Sequence, residues 1–104
     1  MNEAQLDVIT DREIGGAQLV LEGDLVFANM SVVKEKLDDF LESWSGQSLA
    51  VLVKNVSDLD LSLLQLLEVV SAFSDKNGIN CSIKWEVDNE IINLFKQTGF
   101  EKYT

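Results

Sequence analysis

The sequence predicts an α/β domain, a mixed sheet of four or five strands carrying three main helices in the order ββαβαβα, with a short last strand as the fifth. Three observations carry this reading. Segments with an apolar period of two are interleaved with segments of helical period, the pattern of strands linked by crossover helices. The first two strand-like segments are separated only by a short turn and should pair antiparallel, whereas the later strands are separated by helices, as parallel strands must be. A length of 104 residues holds one hydrophobic core and not two, so residues 1–104 form a single domain.

Gln5 to Thr10 alternates polar and apolar residues, which is a strand with one buried face. Asp11 to Gly16 reads as a turn, with Gly15 and Gly16 able to take positive φ, and Ala17 to Glu22 resumes the strand pattern. Gly23 to Phe27 leads into a helix for which Asn29 is the expected N-cap. Val33, Leu37, Phe40, Leu41 and Trp44 fall on one face of it, with Lys34, Glu35, Asp38, Asp39 and Glu42 turned to water, and Ser45 and Gly46 end it. The unbroken apolar run from Leu49 to Val53 is expected as a central strand covered on both faces. Asn55 to Asp60 reads as a polar turn. From Leu61 to Asp75 a second helix places Leu63, Leu66, Leu67, Val70 and Phe73 inward, and Leu61, Gln65, Glu68 and Ala72 outward. Gly78 caps that helix, Asn80 to Val87 is the next strand, and Asp88 opens a third helix from Glu90 to Gln97. Gly99 stops it, and Phe100 to Tyr103 supplies the optional edge strand.

Composition narrows the function. Eight Lys and Arg against eighteen Asp and Glu give a net charge of −10. That charge repels phosphate backbones and anionic lipid, so neither nucleic acid nor membrane insertion is expected. It suits a partner with a basic face, although solubility alone is an equally good account of it. No histidine is present, which removes the commonest general base and metal ligand. The lone Cys81 offers neither a zinc pair nor an internal disulfide, and it fits a reducing, cytoplasmic setting. Met1 to Gln5 has no basic or apolar stretch of the signal-peptide kind. The glycine pair matches no phosphate-binding loop, and nothing groups the carboxylates for acid–base work. The expectation is a chain without catalytic residues, cofactor or metal, whose work is to bind another protein.

Two segments resemble the STAS domain, the fold of bacterial anti-sigma-factor antagonists. The run LEGDLVFAN from Leu21 to Asn29 is similar to the family's L-x-G-E-L-D-x-A-x, and the stretch from Leu52 to Leu67 to its strand, turn and helix with I-D-S-S-G-L. The ending, with Thr98, Gly99 and Phe100, resembles the family's last helix and its T-G-hydrophobic close. The resemblance implies a STAS-like sandwich and a non-catalytic signalling module that docks a kinase, an anti-sigma factor or another signalling protein. Homodimer formation and a place as the STAS subunit of a lipid ABC transporter are the further partnerships it allows.

In antagonists of that family a partner kinase phosphorylates the serine after the conserved aspartate. Here the aspartate matches Asp60, but the next residue is Leu61, so the usual acceptor hydroxyl is absent. Ser62 matches the family's second serine, Leu63 replaces the glycine, and Val26 replaces the aspartate of the first motif. The docking residues the resemblance implies are Asp24, Asn29, Ser57, Asp58, Asp60, Leu61, Ser62 and Gln65. Leu61 has two placements: exposed as a contact residue, or tucked against Leu59 or Phe27 as packing. Ser62 serves the first turn of its helix or, as a second reading, is a phosphorylation site; Asp60 is an N-cap or a recognition residue.

Overall fold

The computed structural model describes residues 4–11 and 15–97. Strand β1 (Gln5–Asp11) pairs antiparallel with β2 (Gly16–Leu25), from Gln5 opposite Glu22 to Asp11 opposite Gly16, as the short turn requires. Helix α1 (Phe27–Ser43) then carries the chain to β3 (Ser48–Leu59), and α2 (Leu61–Lys76) carries it to β4 (Asn80–Glu86). β3 runs parallel to both β2 and β4, giving a mixed sheet in the order β1-β2-β3-β4, and α3 (Asn89–Gln97) follows. The expected edge strand from Phe100 to Tyr103 and the stop at Gly99 lie outside the described residues.

Two successive crossovers that step across a sheet in the same direction put their helices on the same face, because each turns right-handed. The core follows. Leu6, Leu19, Leu21, Leu49, Val51 and Val53 from the strands close on Val33, Leu37 and Leu41 of α1 and on Leu63, Leu66, Leu67 and Val70 of α2. Each such side chain contributes about 1.5–3 kcal/mol when fully buried. Ser74 continues the inward stripe of α2; its hydroxyl donates to the Val70 carbonyl at 2.9 Å, which satisfies a polar group at a core position.

Four expectations are corrected. β3 is not equally covered on both faces: Leu49, Val51 and Val53 are buried under the helices, whereas Ala50 and Leu52 are half-buried. The stretch from Asn55 to Leu59 is strand and not turn. Two register shifts against β2 lie there, with Gly23 opposite Val56 and Asp24 opposite Asp58. Positive φ at Asn55 (51°) and Gly23 (94°) accommodates them, so turn-forming residues are used to bulge a strand. The N-cap position of α1 is Val26, three residues before the expected Asn29, so the helix begins at Phe27 and Asn29 lies inside its first turn. It also ends early, with Trp44 as C-cap stacked on Phe40 at 5.4 Å between ring centroids.

The loop after α1 is tied to the hairpin turn. The Gly15 carbonyl accepts from the Gln47 N–H at 2.7 Å, and a Cβ at Gly46 would stand 2.6 Å from that same oxygen and press into the Trp44 ring. Gly46→Ala is therefore expected to cost about 1–3 kcal/mol, the usual range for overpacking. Urea unfolding reads this directly, and an unchanged midpoint would contradict the close approach.

Candidate docking face at the paired helix starts

β2 and β3 end together, with Leu25 opposite Leu59, and each hands the chain to a helix within two residues. The starts of α1 and α2 consequently lie side by side, and each exposes N–H groups that have no partner inside its own helix. One side chain serves both. The Asp60 carboxylate accepts the Phe27 N–H through Oδ2 at 2.9 Å and the Ser62 N–H through Oδ1 at 2.9 Å. The Ser62 hydroxyl donates to the same Oδ1. The Asp60 N–H in turn donates to the Leu25 carbonyl at 3.3 Å, and the Leu63 N–H to the Asp60 carbonyl at 3.1 Å. Val26, the formal N-cap of α1, contributes no side-chain bond, so the cap of α1 comes from a residue 33 positions after Phe27.

Burial raises the Asp60 pKa, but the Ser62 hydroxyl and the N–H groups of Phe27 and Ser62 outweigh it and hold the carboxyl below its usual value. A carboxylate between two helix N-termini is also favoured by both macrodipoles.

The other expected residues gather at this end of the molecule. Asp24 pairs across the sheet with Asp58, and its carbonyl accepts from Asn29 Nδ2 at 3.0 Å. Asp58 is exposed and accepts the N–H of Leu59 at 2.9 Å. Ser57 lies in the bulged stretch of β3, between paired Val56 and Asp58, and its side chain is outside the described ones. Leu61, the first residue of α2, is 61% exposed, the first of the two placements open to it. Gln65 is exposed one turn further on. Phe27, at the same position of α1, is 80% exposed and is the surface residue that sequence reasoning missed. The signal in the sequence is that it follows Leu25 by two in a strand pattern that ends there; a helix capped by Asn29 leaves it in the connection and off the helix surface.

Among the described residues, no three His, Cys, Asp or Glu side chains come together to hold a metal ion. A concavity of about 430 Å³ at the opposite end of the sheet is lined, among the described residues, by groups such as Gln18, Ser48, Ala50 and Ser82, with no carboxylate or amine among them. Among the described residues no helix is long and apolar enough to cross a membrane.

Over the described residues, a four-stranded mixed sheet with both crossover helices on one face, joined at their starts by a single aspartate, is an α/β domain with the architecture of a STAS fold. The STAS domain family model matches residues 6–104, essentially the whole chain, and the chain belongs to that family. Domains of this family are generally non-catalytic and commonly mediate protein–protein interactions. A sequence search of curated proteins found no match.

Proposed function

We propose that this chain is a non-catalytic protein-interaction module of bacterial signal transduction. It works in the cytoplasm in the manner of an anti-sigma-factor antagonist and docks a signalling protein at the starts of α1 and α2. The observation that carries the reading is the exposure of two large apolar side chains, Phe27 and Leu61, on either side of a rigidly bonded Asp60. Exposed apolar groups next to fixed polar ones are the composition of a docking surface. The net charge of −10 favours a partner with a basic face over a second copy of the chain.

Leu61 stands where antagonists of the family carry their acceptor serine, so docking at this face is not gated by a phosphate at that position. Ser62 serves the fold. Its hydroxyl donates to Asp60, and a phosphate there would bring about 1.5–2 negative charges against a carboxylate already holding two helix starts.

The test is capture of partners from the native cell with the wild-type chain and with Leu61→Asp. Loss of the captured protein is expected, and an unchanged set of partners would overturn the docking face.

A further inference from the structure

Between α1 and α2 runs a groove of about 400 Å³ that begins at Phe27 and Ser62 and reaches Lys34 and Val69 further along the two helices. Met30 and Leu66 are buried in its floor, while Phe27 and Val69 stand exposed at its rim. Its walls are helical side chains. Beyond the first turns, the main-chain N–H and C=O groups of α1 and α2 are spent within their own helices. An extended segment lying in the groove would therefore have its backbone groups covered and without partners. A helix brings its backbone bonds with it and can set its ridge of side chains between those of α1 and α2. The shape of the site selects a helix.

Charge selects which kind. Among the described residues of the lining, Lys34 is the only charged one, and the acidic groups stand around it rather than in it. Beside it on α1 stand the exposed carboxylates of Glu35 and Asp38, and Asp58 is exposed at the head of the site. With −10 on the whole chain, a second copy would meet this surface with the wrong sign.

We infer that the groove receives an amphipathic helix of a partner protein, with apolar residues at i, i+3 or i+4, and i+7 facing inward and lysine or arginine along its flanks. This rests on the docking reading above and names the chemistry of the partner.

The full chain, labelled with ¹⁵N, is titrated with three synthetic peptides of sixteen residues. One has a leucine stripe with lysine flanks, one has the same stripe with glutamate flanks, and one is the lysine peptide with a proline at its centre. The expected result is saturable shifts at Met30, Ser31, Gln65 and Val69 with the lysine peptide. Its affinity should be at least tenfold above that of the other two, and it should become helical on binding. Val69→Asp should weaken it at least tenfold, whereas Ile9→Asp, on the exposed edge strand β1, should not. Equal binding of the glutamate or proline peptide would overturn the inference, as would absence of saturable shifts at those residues. Shifts that depend on protein concentration alone would also overturn it, by placing a second copy in the groove. A cellular partner still lost on Leu61→Asp, with the peptides inactive, would remove the helix and leave the docking face; partners unaffected by Leu61→Asp would remove the docking face itself.

Discussion

Asp60→Ala is expected to lower the unfolding free energy by about 2–3 kcal/mol, because one substitution removes the caps of two helices and each cap contributes roughly 0.5–2 kcal/mol. The Phe27 and Ser62 N–H groups and the Ser62 hydroxyl all lose their acceptor at once. Asp60→Asn keeps a neutral acceptor and should cost less, about 1 kcal/mol. The two variants also separate charge from geometry. The folded pKa of Asp60 is depressed, so the stability it adds is fully present above the ordinary aspartate value of 3.8 and is lost as pH falls through the folded value. Below about pH 4 the wild type should therefore lose stability more steeply than Asp60→Asn. Denaturant unfolding at a series of acidic pH values checks this; identical acid limbs would show that the carboxylate charge does not hold the two helix starts together.

The second large effect is on binding. Phe27→Ser combined with Leu61→Asp should weaken capture of the partner by about 100-fold or more, since buried apolar anchors of an interface commonly contribute about 2 kcal/mol each. The same pair should change unfolding free energy by no more than about 0.5 kcal/mol, because both side chains already stand in water, at 80% and 61% exposure. Titration calorimetry with the captured partner and urea unfolding of the free chain separate the two quantities. A variant that folds normally and binds normally contradicts the account. One that binds poorly because it is unfolded shows instead that these residues pack in the free protein.

The order of strands and helices, the pairing of the hairpin and the inward stripe of α2 were legible because each rests on local periodicity. Leu63, Leu66, Leu67 and Val70 lie where the 100° rule puts them. What was not legible depends on residues far apart in the chain. The start of α1 lies three residues before the one that Asn29 as cap implies, because the capping side chain is Asp60, and Asn29, which has the composition of a cap, bonds the Asp24 carbonyl instead. The composition of Asn55 to Leu59 points to a turn, because Asn, Ser and Asp favour turns. In the fold they build bulges, and pairing with β2 overrides the local preference. Ser74 escaped the core for a similar reason, since a serine counts as polar in any pattern although its hydroxyl can be satisfied within the helix. Asp60 was legible as a cap and as the family aspartate, but its service to both helices was not.

The docking face is tested most directly by a photo-crosslinking amino acid placed in the native cell at Leu61, at Phe27 and, for comparison, at Ile9. All three side chains are exposed in the free chain, so accessibility alone does not distinguish them. A discrete adduct with one protein at positions 61 and 27, and none at position 9, is the result predicted. Adducts of the same protein at position 9, or none at 61 and 27 while the chain still captures its partner, would contradict the claim that binding runs through the helix starts joined by Asp60.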